Sequence, residues 1–190
     1  MGDHTAEVWG SDCLTSQLKA PAQKHQICLA HQIRNLQAVI EHSLPAFWAQ
    51  AMQKLFRYAI HIHNQRDQLS PEIFQARVKC IERHCDWLVQ QVLTDPDASR
   101  LQRRYLKYRN SLFVFLYRSD VAPTNNVSEH ALRPSVIHRK VIGCFCSTWG
   151  ANAYAAFASV IATGALKGIS FFDPIQSLFG PPSLPLPARV

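Results

Sequence analysis

The chain has 190 residues, 47% of them hydrophobic, which is enough to bury the core of one domain. Twenty Lys and Arg against 13 Asp and Glu give a formal charge of +7, which favours a polyanionic partner such as nucleic acid. Its apolar runs are too short for a membrane span, and its six cysteines occur without a signal peptide, so composition excludes a membrane-spanning chain and favours a reduced cytosolic protein over a disulfide framework.

Two short strands are predicted near the start of the chain, at residues 6–11 and 25–30, where compact apolar runs end at turn residues. From His31 to about Arg118 the apolar residues recur with the period of a helix. Two of these helices are each marked by an apolar stripe. One stripe consists of Trp48, Met52, Leu55, Ala59 and Ile62, and the other of Phe74, Val78, Ile81, Cys85, Leu88 and Val92.

Helix boundaries follow from capping chemistry. Ser70-Pro71-Glu72 combines a cap hydroxyl, a proline at the first helical position and a carboxylate that favours the helix dipole. The segment 94–97 closes that helix and opens the next one. The next helix has an apolar face that consists of Leu101, Tyr105, Tyr108, Leu112 and Phe115.

A basic stripe lies on another face of the same helix, at spacings of three and four residues: Arg100, Arg103, Arg104 and Lys107. One interpretation is a solvated surface whose long side chains cover apolar neighbours. The other is contact with the phosphates of DNA, which makes Arg103 and Arg104 candidate DNA-binding residues.

The segment 122–140, APTNNVSEHALRPSVIHRK, predicts a second helical region that begins at two asparagines. Asn125, Glu129 and Arg133 share one helix face, so the residues alone indicate a capped helix start with a local Glu129–Arg133 pair. Pro134 predicts one or two turns, a bend and then more helix. An alanine-rich helix follows from about residue 150, and the proline-rich residues 181–190 are predicted to be unstructured.

Two patterns suggest chemistry without establishing it. Asp12 follows a strand, where an acid can face a cleft but more often stabilises a turn. His25-x-x-Cys28-x-x-His31 and Cys144-x-Cys146 could be two halves of a zinc site, although these spacings match no structural zinc motif well and cysteines are commonly buried.

Several long strings occur in a fixed order: EVWGSD, HQICLAHQIRNLQ, SLFVFLYR, TNNVSEHALRPSVIHRKVIG and STWGANAYA. From about Glu7 to Gly180 the chain resembles the C-terminal part of the insertion sequence 66 family of bacterial DDE transposases. The resemblance implies an RNase H-like core in which two Asp and one Glu hold two Mg²⁺ ions for phosphoryl chemistry on DNA. Asp12 corresponds to the second Asp and Glu129 to the Glu.

The resemblance also implies an organisation. We expect an α/β fold: a C-terminal portion of an RNase H-like core with a large all-α insertion, which makes this chain predominantly α. Residues 1–30 would be the last strands of the core and residues 31–118 the helical insertion. Residues 119–180 would be the C-terminal core helices that include the Glu-bearing helix, and 181–190 a disordered tail.

Further residues match family positions near the acid: Asn125, Asn126, Arg133, Arg139 and Lys140. The resemblance makes them candidates for supporting Glu129 and for contacting the phosphates of transposon ends and target DNA in a cytoplasmic, nucleoid-associated protein. Cys28 and His31 match a family Cys-x-x-His, for which packing beside the site is the expectation.

Departures from the family pattern limit these expectations. The first Asp belongs on an upstream core strand that is not in this sequence, so we expect a truncated copy that is inactive alone. Cys144-Phe145-Cys146-Ser147 stands where relatives usually have Gly-Phe-Arg-Ser, His130 replaces an Arg, and Asn35 replaces a frequent Asp. One alternative is a non-catalytic basic helical protein that binds DNA, a full-length transposase or itself, and another is a small zinc-binding helical domain.

Overall fold

A computed structural model describes residues 5–43 and 45–169. The chain divides after Asn125 into two compact units. Unit 1 is the part up to Asn125, and unit 2 begins at Asn126. The proline-rich segment 181–190, predicted to be unstructured, lies outside the described residues.

Unit 1 begins with two parallel strands, β1 (Ala6–Ser11) and β2 (Ala22–Ile27), whose register pairs Trp9 with His25 and Ser11 with Ile27. A single 3-10 turn interrupts the connection between them. The second strand was predicted at residues 25–30, and β2 begins and ends three residues earlier than that. The difference arises because the apolar run HQICLA continues past the strand into the first helix, and burial alone does not separate the two.

Five helices complete unit 1: α1 (Leu29–His42), α2 (Phe47–Asn64), α3 (Pro71–Leu88), α4 (Pro96–Lys107) and the short α5 (Val114–Tyr117). The predicted helix starts at Ser70 and Asp95 are confirmed, but α3 ends at Leu88 and not at the segment 94–97. The Ser70 hydroxyl accepts from the Ile73 N–H at 3.4 Å, and Asp95 Oδ1 accepts from the Ala98 N–H at 2.7 Å. The Ala98 N–H and the Ser43 hydroxyl hold the pKa of Asp95 below its usual value.

The core of unit 1 forms where α2, α3 and α4 meet the segment around α5. Tyr105 lies between Trp48 and Phe56, with ring centroids 6.2 Å and 5.2 Å away.

The Gln26 side chain joins β2 to this core, because its Nε2 donates to the Leu112 carbonyl at 3.0 Å and its Oε1 accepts from the Phe115 N–H at 3.2 Å. The predicted stripes of α2 and α3 are thus confirmed, except that Val92 is 95% exposed because α3 ends at Leu88. The apolar face expected on one helix from Leu101 to Phe115 is instead divided between α4, which ends at Lys107, and the segment that follows it.

Unit 2 contains α6 (Asn126–Val141) and α7 (Thr148–Leu166) in its described residues. Pro134 lies inside α6, so the predicted sequence of short helix, bend and helix is instead one helical segment. A proline removes one backbone hydrogen bond, and the helix continues on both sides of it. A cluster of three rings, His138, Phe145 and Tyr154, joins the two helices. The His138 and Tyr154 rings are stacked at 4.6 Å.

The described part of the chain is mostly helical, which confirms a predominantly α structure. None of its helices combines the length and the apolar character that a membrane crossing requires.

Candidate functional site

Asp12 lies at the carboxyl end of β1, where ligands of parallel sheets commonly bind. Its carboxylate is exposed, and Oδ1 accepts from the Leu14 N–H at 3.2 Å. Between these two residues Cys13 has a φ of 78°, a left-handed conformation that is unfavourable for a residue with a Cβ. Asp12 thus stabilises a strained turn and still presents its carboxylate to solvent.

The positive charges of α4 lie close to this turn. Burial raises the pKa of the Cys13 thiol, and the charges of Arg104 and Lys107 act against that rise. Arg104 is half-buried and its guanidinium lies 3.5 Å from Gln32 Oε1, whereas Arg103 is exposed. Of the two predicted DNA-binding residues on α4, Arg104 is therefore the one near Asp12.

Three hydrogen bonds join the end of β1, the start of α1 and the segment before α6. The Cys28 N–H donates to the Ser11 carbonyl at 2.7 Å, and the Leu29 N–H donates to the Pro123 carbonyl at 3.0 Å. The Asn125 N–H donates to Cys28 Sγ at 3.3 Å. Residues 28 and 29 therefore connect the residue before Asp12 to the last residues of unit 1.

His31 Nδ1 lies 3.3 Å from Cys28 Sγ, so the predicted Cys-x-x-His pair is in contact. His25, the third member of the suggested zinc pattern, lies on β2, and its buried Nδ1 has no partner among the described residues. Cys144 and Cys146 are exposed in unit 2. The described residues therefore form no zinc site from these histidines and cysteines.

The remaining predicted residues lie at or after the end of unit 1. Asn125 is its last residue, and the side-chain Oδ1 of Asn125 is buried without a hydrogen-bond partner in the described residues. Asn126 begins α6, and Glu129 lies in its first turn. All the other candidates on this helix are exposed: Arg133, Arg139 and Lys140.

The two-metal site implied by the resemblance is not formed by these residues alone. Within residues 5–43 and 45–169, no group of three or more His, Cys, Asp or Glu side chains could hold a metal ion. Asp12 has the right chemistry, an exposed carboxylate, but the described residues of unit 1 place no two further carboxylates beside it. The described residues therefore do not fit a complete Mg²⁺ site.

Sequence reasoning missed two features of this region. The strained backbone at Cys13 has no sequence signal, because positive φ is normally signalled by Gly or Asn. The contact between Cys28 Sγ and the Asn125 N–H joins residues 97 positions apart. The sequence singled out Cys28 and His31 as a Cys-x-x-His pattern, but it did not indicate that the thiol contacts the Asn125 N–H.

A comparison with protein-family models matches residues 9–153 to the model described as "Transposase IS66 family". The matched range includes both Asp12 and Glu129. No match is found among curated proteins. None is found among solved structures either.

Proposed function

The chain belongs to the IS66 family of transposases, and from that premise we propose that it supplies Asp12 and Glu129 to a DDE site that cuts and joins DNA strands. One observation carries the proposal for Asp12: its exposed carboxylate follows directly after a parallel strand. We also propose that β1 and β2 belong to a larger RNase H-like sheet, because a two-stranded parallel sheet is rarely complete. In that fold residues 31–118 are the helical insertion.

Divalent metals in such a site would activate the attacking oxygen and stabilise the leaving one. The described residues would contribute carboxylates to it but would not complete it. We therefore propose that this chain alone does not cleave DNA, and that a further aspartate has to be supplied to the site.

Nicking of supercoiled plasmid with Mg²⁺ or Mn²⁺ tests this proposal. We expect no nicking by the chain alone, and nicking when a family segment with the first aspartate is added in trans. Asp12→Asn or Glu129→Gln should then abolish nicking, whereas Asp67→Asn, a change at an exposed acid of unit 1, should not. Nicking by the chain alone would overturn the proposed inactivity, and nicking that survives Asp12→Asn would overturn the site.

DNA contact by this chain is proposed on the basis of its charge and of α4. Arg104 and Lys107 lie within electrostatic range of the turn at Asp12, so a phosphate held there would lie beside the acid. The proposed partners are transposon ends and target DNA, in the cytoplasm of a bacterium. The candidates on α6 would add contacts of the same kind: Asn126, Arg133, Arg139 and Lys140.

A second candidate function is DNA binding without catalysis, alone or together with a full-length transposase. The exposed Arg103 favours it, because a surface arginine whose Nε donates to the Ser99 carbonyl can still bind phosphate without serving the reaction. Binding of a DNA duplex should weaken steeply with salt, and Arg103→Ala should reduce the salt slope by about 1. Affinity that does not change between about 50 and 300 mM salt would contradict DNA binding in either form.

A further inference from the structure

The Cys28 thiol has two polar neighbours and almost no contact with solvent. Its residue is 2% exposed, Sγ lies 3.3 Å from the Asn125 nitrogen, and it lies 3.3 Å from His31 Nδ1. A backbone N–H can only donate, so sulfur accepts from Asn125. The thiol hydrogen is then available for His31.

We propose that Cys28 and His31 are a positioning pair that fixes the backbone at Asn125, the residue from which α6 and its Glu129 leave unit 1. Sγ accepts the Asn125 N–H and donates its own hydrogen to His31 Nδ1. This arrangement requires a neutral His31 ring whose proton is on Nε2. The pair touches neither DNA nor metal and acts through the backbone.

Other contacts of unit 1 place this pair at a junction. The Cys28 N–H bonds to Ser11, the residue before Asp12, and the next N–H along bonds to Pro123. Asp12 and the departure point of α6 are thus tied to the same two residues at the start of α1. The positioning role in catalysis rests on the proposed function, whereas the hydrogen bonds can be tested without it.

The direct test uses the full chain, with amide hydrogen exchange and the ¹³C and ¹⁵N shifts of the His31 ring. In Cys28→Ala, exchange of the Asn125 amide should rise by about 3- to 10-fold, and the preference for a proton on Nε2 should be lost. Cys28→Ser keeps a donor and an acceptor and should preserve much of both signals. Cys85→Ala is the matched control, because this thiol is also buried but lies on α3.

Two results would show that Cys28 and His31 do not form the proposed pair. One is a wild-type His31 with its proton on Nδ1, which is measurable even if Cys28→Ala fails to fold. The other is an Asn125 amide that exchanges equally fast in the wild type, Cys28→Ala and Cys28→Ser.

A nicking assay with the first aspartate supplied in trans tests the catalytic role. We expect Cys28→Ala to lower kcat about 10-fold with unchanged DNA affinity, and Cys28→Ser to restore most of the rate. Equal rates for Cys28→Ala and Cys85→Ala would overturn the role in catalysis. Absence of nicking by the supplemented wild type would contradict the proposed function, and the exchange data would still decide whether the pair exists.

Discussion

The two units of the chain bury their apolar residues very differently. In unit 1, large side chains such as Phe56, Tyr105 and Phe115 are fully buried. In the described part of unit 2, α6 has no buried residue and α7 has only Gly164. Leu132, Trp149 and Leu166 are 62%, 80% and 86% exposed. Within the described residues, the helices of unit 1 are stabilised by tertiary packing, and those of unit 2 by local interactions and one ring cluster.

This difference separates the two proposed acids. Asp12 is held by a unit with its own core, whereas Glu129 is carried by a helix with little packing of its own. Short helices depend mostly on tertiary contacts for their stability. The position of Glu129 should therefore be more sensitive than that of Asp12 to the contacts that hold the chain at Asn125.

The largest expected contrast is between two phenylalanines. Phe56→Ala removes a ring from the core of unit 1 and should lower the free energy of unfolding by about 3–5 kcal/mol. Phe157→Ala, on a helix of unit 2 where the ring is 40% exposed, should cost less than about 1 kcal/mol. Urea unfolding followed by circular dichroism measures both. Similar costs would show that unit 2 has a core of comparable density.

A second contrast concerns arginines. Arg109 is largely buried on unit 1, pairs with Asp86 at 2.6 Å and also contacts the Glu82 carboxylate. Arg109→Ala would remove the ion pairs of both acids, although Glu82 still accepts from the Tyr117 hydroxyl, and should cost about 2 kcal/mol.

Arg139 is the control, because it is exposed on α6. Arg139→Ala should change the free energy of unfolding by less than about 0.5 kcal/mol and instead weaken DNA binding at low salt. If Arg139→Ala instead causes a large loss of stability and leaves DNA binding unchanged, the role assigned to Arg139 is wrong.

The accuracy of the predictions from sequence also differs between unit 1 and unit 2. In unit 1, helical periodicity identified the core faces of α2 and α3, and capping chemistry located the starts of α3 and α4 at Ser70 and Asp95. Both signals are local or repeat along one element. The end of β2 was misplaced because a buried strand and a buried helix start look alike in apolar content.

The candidate site was less predictable than the core. Asp12 and Glu129 were identified from resemblance, and each alone would indicate a turn or a capped helix. The contact of Cys28 with Asn125 depends on how distant segments meet, which no periodicity encodes. In unit 2, Pro134 predicted a bend, but the helix tolerates one missing hydrogen bond.

The ring cluster of unit 2 provides a third test. His138 stacks on Tyr154 at 4.6 Å, and Tyr154 hydrogen-bonds the Ser135 hydroxyl at 3.2 Å. His138→Ala should therefore reduce the stability of unit 2 by about 1 kcal/mol and raise amide exchange in α6 and α7 together. His61→Ala, a change at an exposed histidine of α2, should leave that exchange unchanged. Exchange that rises in only one of the two helices would show that the cluster does not couple them.

The smallest expected effect concerns backbone strain beside Asp12. In unit 2 the described residues with positive φ are the glycines Gly143 and Gly168, but unit 1 holds Cys13 in that conformation. Strain of this kind persists only where the surrounding structure imposes it, which is consistent with a well-packed unit 1. Cys13→Gly should therefore be more stable than Cys13→Ala by about 0.5 kcal/mol, because the relief of strain exceeds the entropic cost of glycine.

At Cys80, an exposed cysteine on α3, we expect the opposite order of stability. Cys80→Gly should be less stable than Cys80→Ala by about 1 kcal/mol. Thermal unfolding of the four variants measures both differences, and each pair lacks the thiol, so only the Cβ is compared. If alanine is preferred at both positions, the turn after Asp12 is not held in the left-handed conformation. The carboxylate of Asp12 would then be free to move, and unit 1 would not present it more firmly than unit 2 presents Glu129.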